Sequence, residues 1–216
     1  MERNSKPDPF VLRLQADRPQ SVRDMVYILE KCQHPERLKM FVQVLKGKNL
    51  VVKLEVMSII ALSHTGESRK LIADLLNDPI SQVRMQAARL LPEFDKEKAY
   101  TDLVKLVRDP GFEKKTPDER AALYGALGAT GIPNALTVLT QLLAVKPALL
   151  NKKKVLDDKL LAIQGLAMAC SVHSFKVLQG VVEDKSQPVE VLTAARKAMY
   201  QTRKALFGDS AQPEEE

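Results

Sequence analysis

Aromatic side chains are scarce in this chain of 216 residues. Tryptophan is absent, and Phe and Tyr together make up only 5% of the sequence. A β-sandwich normally draws on aromatic and β-branched residues, so a core made of Leu, Val, Ile, Ala and Met favours helices. No sustained alternating run and no Asn-Gly or Asp-Gly hairpin signal is present. The sequence therefore predicts an all-α fold.

Long apolar runs are also missing. The richest apolar stretch, Met57 to Leu62, has six residues, whereas a membrane-spanning helix needs roughly 18. The first residues contain no apolar segment of the kind that a secretory signal has. We therefore expect no membrane span and a cytoplasmic location.

Residues and motifs that would carry chemistry are few. Cys32 and Cys170 lie far apart and form no CxxC site, so we expect two buried thiols in a reducing compartment. His34, His64 and His173 are not spaced as the ligands of a metal-binding motif are. No phosphate-binding glycine loop and no GxSxG elbow occurs. The sequence predicts no catalytic residue, no metal ligand and no cofactor.

The charge is positive but unevenly spread. The formal net charge is +6, and the last nine residues, 208–216, hold four acids and no base, so the rest of the chain carries +10. A basic body suits nucleic acid, an anionic lipid surface or an acidic protein, and selects none of them. We predict that this acidic tail is disordered, since it offers little apolar surface to bury. It could fold back over the basic face as a mimic of an anionic partner.

Amphipathic helical segments recur in pairs along the chain. Similar segments start at positions 22, 52, 83, 119, 158 and 190, at spacings of 30 to 39 residues. Another amphipathic helix precedes each of the last five: Arg37–Leu45, Ser68–Leu76, Tyr100–Val107, Leu136–Leu143 and Phe175–Val182. A helix–turn–helix unit repeated at this period is the signature of a stacked repeat protein. The predicted core positions are Leu71, Leu75, Val83, Ala87, Leu91, Leu103, Leu123, Leu127, Leu139, Leu142, Ala162, Leu166, Leu178 and Ala194.

One unit carries a recognisable pattern. From Leu71 to Leu91 a Leu-rich first helix is followed by an Asp-Pro turn and by a second helix with Val-Arg and then Ala-Ala. This pattern resembles a HEAT repeat, and the resemblance extends over roughly residues 20–207. It implies a right-handed α-solenoid of about five HEAT-like helix pairs, with second helices on the concave side. Residues 1–19 read as an extended lead-in.

A basic residue recurs at one place in successive second helices: Arg23, Lys53, Arg84, Arg120 and Lys159. Stacking would set these residues in a row, for which two interpretations are open. In a structural ladder each basic residue contacts an inter-helix turn, as Asp78 suggests for Arg84. In a binding stripe the row faces an anionic ligand. We predict the ladder role for Arg84 and an exposed side chain for Lys159.

A lysine-rich insertion, Lys146–Lys159, lengthens one unit. Insertions of this kind often lie at the binding edge of a solenoid, and the alternative is a solvated connector. The candidate binding residues are therefore Lys53, Arg84, Arg89, Arg120, Lys152, Lys153, Lys154 and Lys159.

Three glycines three residues apart, Gly125, Gly128 and Gly131, lie late in one predicted second helix. They follow no strand, which argues against a phosphate-binding loop. We expect close helix packing followed by a helix stop.

Two functions remain open at this point. The first is a non-catalytic protein–protein interaction scaffold or adaptor, whose partner would be acidic. The alternative is a nucleic-acid-binding HEAT-like protein with a basic concave face. Helical-repeat DNA glycosylases hold the damaged nucleotide with Trp and Tyr, and this chain has no Trp. The pattern is also similar to that of bilin-lyase-type HEAT proteins, but no residue here carries such chemistry. The oligomeric state is left open.

Overall fold

The structure is a computed structural model that describes residues 37–148 and 151–208. Contacts between Cα atoms divide the chain into two compact units, Met1–Phe94 and Asp95–Glu216. Every regular element in the described ranges is a helix, so the all-α prediction is confirmed. The predicted lead-in, the segment starting at position 22 and the acidic tail beyond Gly208 lie outside the described residues.

The described part of the first unit contains two pairs of helices. They are α1 (Arg37–Leu45), α2 (Leu50–Leu62), α3 (Gly66–Asp74) and α4 (Ser81–Phe94). A 3-10 turn, Leu75–Asn77, leads from α3 towards α4. Helix α2 packs against α1, α3 and α4, and α3 packs against α4. The largest buried side chains of this unit are Phe41, Met57, Ile60, Ile72 and Leu91.

The described part of the second unit contains three pairs of helices. They are α5 (Lys96–Arg108), α6 (Pro117–Ala129), α7 (Pro133–Leu143), α8 (Lys152–Ala169), α9 (Val172–Glu183) and α10 (Val189–Phe207). Helix α8 is central, because it packs against α6, α7, α9 and α10. The second helices α6, α8 and α10 thus contact one another in chain order, and the first helices α7 and α9 also touch.

Local sequence explains where many of these helices begin. At five of them a side-chain oxygen of the preceding residue accepts a hydrogen bond from the third helical N–H; these residues are Asn49, Thr65, Asp95, Thr116 and Ser171. Pro117 and Pro133 stand at the starts of α6 and α7, where a missing N–H costs nothing. Ser171 and Ser174 form a reciprocal capping box at α9. The local sequence therefore defines where these helices begin.

Helices α6 and α8 come into direct backbone contact at two glycines. A Cβ added to Gly128 would lie 1.8 Å from the carbonyl oxygen of Gly165, and one added to Gly165 would lie 2.7 Å from the carbonyl oxygen of Tyr124. Just beyond α6, Gly131 adopts a left-handed φ of 64°. The prediction of close packing followed by a helix stop is confirmed.

Most predicted core positions are buried, but three are not. Leu71, Leu142 and Ala194 are only half-buried. In α10 the fully buried residues are Val191, Ala195 and Thr202. The repeat alignment was one residue out of register here, because the first buried position of α10 is Val191 and not Glu190.

Cys170 is also not where the sequence predicted it. It is exposed rather than buried, and it ends α8 with a left-handed φ of 41°. A residue at a helix end in this conformation directs its side chain away from the helix packing. The other cysteine, Cys32, lies outside the described residues.

Candidate protein-binding groove

The lysine-rich insertion borders an open groove in the second unit, with a volume of about 830 Å³. Its walls are the end of α7 with the loop that follows, the first turns of α8, and the turn between α9 and α10. This volume lies in the range of sites that hold ligands. The insertion is not a simple connector, since it is helical from Lys152 onward.

Much of the groove surface is apolar. The contributing side chains come from all three walls and are Leu143, Val145, Pro147, Val155, Leu156 and Pro188. Val145 is 43% exposed, although it is a large aliphatic residue. The groove therefore offers apolar surface that another chain can bury.

The charges around the groove are divided by sign. Lys146, Lys152 and Lys153 are exposed on the α7–α8 side, and Asp184 and Glu190 are exposed on the α9–α10 side. Opposite potentials on two walls complement a ligand that carries both charges or one whose acidic part faces a single wall.

Lys159 lies on this groove and is only 6% exposed. Its Nζ donates a hydrogen bond to Gln187 Oε1 at 2.8 Å, and Gln187 Nε2 donates to Asp184 Oδ2 at 2.7 Å. The prediction of an exposed Lys159 is therefore wrong, because the turn between α9 and α10 closes over it. Ser186 and Gln187 hold the pKa of the Asp184 carboxyl below its usual value by hydrogen bonding, with Lys159 adding to the effect.

The start of α8 departs from the usual preferences of a helix. Its first turn holds three lysines and no acid, and Asn151 makes no side-chain cap bond to it. Asn151 Oδ1 instead accepts from the backbone N–H of Ala148 at 2.7 Å. The positive end of the helix dipole disfavours cations here. The three lysines thus concentrate positive potential beside the groove at a cost in helix stability. Departures of this kind from helix preferences occur at functional sites.

Lys154 belongs to a different cluster from Lys152 and Lys153. Its Nζ lies 3.0 Å from Glu113 Oε1. Arg120 lies between Glu113 and Asp158, with Nη1 3.8 Å from a carboxylate oxygen of each. Arg120 thus contacts the turn before its own helix and the helix of the next pair, as a structural ladder requires.

This cluster perturbs two neighbouring acids. The pKa of Tyr124 is raised to about 12, mainly by burial and also by the charges of Asp158 and Glu113, which Arg120 opposes. Burial also raises the pKa of Asp158, with Glu113 adding to the effect. The Tyr124 ring packs edge-on against Phe112, with centroids 5.2 Å apart. The cluster lies between α8, α6 and the turn before α6, with Glu113 and Lys154 about half exposed, and it does not line the groove.

In the first unit two cations converge on the turn before α4. Lys53 Nζ pairs with Asp78 Oδ2, and both side chains are 5% exposed. Arg84 Nη1 donates to the carbonyl oxygens of Asp78 and Pro79, at 2.8 and 3.1 Å. Arg84 therefore contacts the predicted turn. Lys53, from the preceding helix pair, was not foreseen as the partner of the Asp78 carboxylate.

The candidate binding residues are thus divided among three places. Lys152, Lys153 and Lys159 line the groove. The other candidates with contacts described above bind turns or form ion pairs, and they are Lys53, Arg84, Arg120 and Lys154. Arg89 is exposed on α4 in the first unit, and Arg23 lies outside the described residues. Sequence reasoning missed the α9–α10 turn as a wall of the groove. Its Asp-x-Ser-Gln-Pro sequence signals a turn, but only the tertiary fold places that turn beside α8.

The described ranges contain neither a metal site nor a membrane-spanning helix. No group of three or more His, Cys, Asp or Glu side chains in residues 37–148 and 151–208 could hold a metal ion. None of the helices described above is long and apolar enough to cross a bilayer.

Comparison with known proteins gives little. No protein-family model matches the chain, and no curated protein is similar to it in sequence. Among solved structures it is similar to the crystal structure of an engineered protein, with 18% identity and a TM-score of 0.38, over 91% of this chain and 96% of that one. A likeness at this level identifies neither a family nor a function.

Proposed function

We propose that the protein is a non-catalytic interaction scaffold or adaptor whose groove beside the lysine-rich insertion binds a segment of a protein partner. The observation that carries this proposal is the groove itself. It combines an exposed apolar surface with charges of opposite sign on two walls. Polypeptide segments offer apolar and charged groups in close succession, so they complement such a surface.

The architecture that we propose is an α-solenoid of HEAT-like helix pairs. Its support is the order of packing within each unit, where second helices contact second helices and α7 contacts α9. Basic residues of second helices contact neighbouring inter-helix turns at Lys53 and Lys159. Stacked pairs of this kind present long surfaces that suit docking rather than catalysis.

The alternative, nucleic-acid binding, fits the groove less well. Asp184 and Glu190 lie on one wall and would repel a phosphate backbone. In the predicted binding stripe, Lys53 is buried and paired with Asp78, and Arg120 lies between Glu113 and Asp158. The cations that remain at the groove are few, and they border an apolar surface.

Selection from displayed random peptides tests the proposal. Peptides enriched on the wild-type protein are measured against Val145→Trp, which fills the groove from an exposed position. Val172→Trp is the matched control, because Val172 is 55% exposed at the start of α9 and does not line the groove. We expect affinity to fall at least about tenfold in the first variant only.

Two results would contradict the proposal. One is a selection that enriches no peptide over the bare matrix. The other is a set of enriched peptides that bind both valine variants as well as they bind the wild type.

A further inference from the structure

We infer that the segment bound in the groove is acidic as well as apolar, with a carboxylate held between the first turn of α8 and Lys159. This inference rests on the proposed function and specifies the chemistry of the partner. Three features carry it: the start of α8, the pairing of Lys159, and a comparison of Lys159 with Lys53.

The first turn of α8 has several features that favour an anion. Lys152 and Lys153 line the groove, and Asn151 contributes no cap bond to the helix. A carboxylate placed here would meet the positive end of the helix dipole, backbone N–H groups and two ammonium groups. It would offset the local cost that the lysines create.

Lys159 provides the second, independent feature. An ammonium group has three N–H donors, and that of Lys159 donates to Gln187 Oε1, a neutral acceptor. At 6% exposure its charge is largely withdrawn from water. A carboxylate entering the groove would supply a charged acceptor, and charge-assisted hydrogen bonds are about twice as strong as neutral ones.

Lys53 and Lys159 differ in the acceptor that each one contacts. They occupy the same repeat position, and each contacts the residue just before a proline in the next turn. In the first unit that residue is Asp78, a carboxylate, whereas in the second it is Gln187, a neutral amide. The carboxylate of Asp184 accepts from Gln187 Nε2, so the amide stands between this carboxylate and Lys159. A ligand carboxylate would give Lys159 a direct charged acceptor.

The acidic tail of the chain itself is a poor occupant. Residues 209–216 carry only one apolar side chain, Ala211, so they would leave the apolar surface of the groove uncovered. We therefore assign the groove to a separate protein partner.

A set of four labelled dodecapeptides on one Gly-Ser framework separates charge from apolarity. The variable positions hold Glu and Leu, Gln and Leu, Glu and Ser, or Gln and Ser. On the full chain we expect the Glu–Leu peptide to bind at least about tenfold tighter than the other three. Equal affinity of the Glu–Leu and Gln–Leu peptides would overturn the inference.

The two proposals fail in different ways. The Gln–Leu peptide could bind the wild-type protein as tightly as the Glu–Leu peptide does, with both losing affinity in Val145→Trp. That result would leave the proposed function standing without its acidic partner. The same holds if displayed selection enriches groove-dependent peptides without acids. Failure of every peptide in both experiments would overturn both proposals.

Charge variants locate the carboxylate. The double variant Lys152→Gln, Lys153→Gln should bind the Glu–Leu peptide at least about tenfold more weakly than the wild type does. The control pair Lys176→Gln and Lys197→Gln removes the same charge from exposed positions on α9 and α10 and should change little. Equal affinity loss in both pairs would reveal a general charge effect and contradict the assigned site.

Gln187→Glu combined with Asp184→Asn gives the sharpest test. It places beside Lys159 a carboxylate like that of Asp78 in the first unit, so Lys159 should pair within the chain. The added Asn replaces the donor that Gln187 offers to Asp184 and keeps the net charge of the groove unchanged. We expect the Glu–Leu peptide to lose affinity by about tenfold while the fold is kept. Unchanged affinity would contradict the role of Lys159. Replacing the tail residues Glu214, Glu215 and Glu216 by Gln should leave affinity unchanged, and tighter binding would assign the groove to the tail instead.

Discussion

A buried ion pair is the most sensitive single contact in the first unit. Lys53 and Asp78 are both almost fully buried, and they join successive helix pairs. Removing one partner of such a pair leaves an uncompensated charge in the interior. Lys53→Met should therefore lower the free energy of unfolding by about 3–5 kcal/mol, measured by urea denaturation.

A second substitution separates charge from packing. Asp78→Asn keeps the oxygen that accepts from Ile80 N–H at 2.8 Å but removes the charge. In the Lys53→Met background it should restore part of the lost stability. Arg89→Met, at an exposed position, should change stability by less than about 0.5 kcal/mol. A double variant as unstable as Lys53→Met alone would contradict the ion-pair explanation.

Tyr124 makes stability depend on alkaline pH. Its folded-state pKa is about 12, and an unfolded Tyr titrates near 10. Stability from this group is complete below about pH 10 and is lost as the pH rises towards 12. Ultraviolet titration of the folded protein should show a phenol that ionises late, and Tyr124→Phe should remove that step. A variant that keeps the late step would assign it to another group.

The residue scale is where the sequence predicted least. The basic repeat position was visible, but not that Lys53 would contact the turn of the next pair. The prediction for Lys159 failed because burial there depends on the α9–α10 turn, which is distant in sequence. Ala194 was chosen over Ala195 because the repeat alignment started at position 190, one residue before the first buried position of α10. For both lysines the missing information was the position of a turn that is distant in sequence.

The contact between α6 and α8 depends on the absence of side chains. Gly128→Ala and Gly165→Ala should each destabilise the protein by about 3 kcal/mol or more, because the added methyl meets backbone that cannot move aside. Thermal and urea unfolding measure the change.

Gly180 provides the matched control within α9. It is exposed, and a Cβ there would meet nothing within 4 Å. Gly180→Ala should stabilise the protein by about 0.5–1 kcal/mol, since Ala restricts the unfolded chain and favours helix. If Gly128→Ala behaved like Gly180→Ala, the close approach of the two helices would be wrong.

Helices were predicted well because their signals are local. Apolar periodicity and the starting residues indicated the helix pairs that the structure describes. The main error was α8, which begins at Lys152 inside the predicted insertion. Val155, Lys159 and Ala162 are buried at helical spacing, but the lysine hides this pattern in the sequence. Lysine is itself a good helix former. Charge composition suggested a connector where periodicity indicated a helix.

The net charge of the whole molecule gives a further prediction. Outside its acidic tail the chain carries +10, but Lys53 is paired with a buried acid and Arg120 lies between two acids. We expect a labelled DNA duplex to show no saturable binding at about 0.15 M salt, in a fluorescence titration. Saturable binding whose salt slope corresponds to about four or more phosphates would favour the nucleic-acid alternative.

At this scale composition was enough for the fold class. The lack of aromatic residues and of alternating runs predicted helices, and the described residues contain no strand. The groove was only half visible from sequence. The insertion marked one wall, but the other came from a turn that is remote along the chain and is brought close by the packing of α8 against α10.

Helix α8 joins the groove to the interior of the second unit. It has 18 residues, so it extends for about 27 Å from its first turn to the end beyond Gly165. A ligand bound at the first turn is therefore linked to the unfolding of the whole helix. At a hundredfold excess over its dissociation constant it would add about 2.7 kcal/mol to stability. Amide hydrogens around Leu166, far from the ligand, should then exchange with solvent up to about a hundredfold more slowly. Protection confined to the first turn would mean that α8 opens in two separate parts.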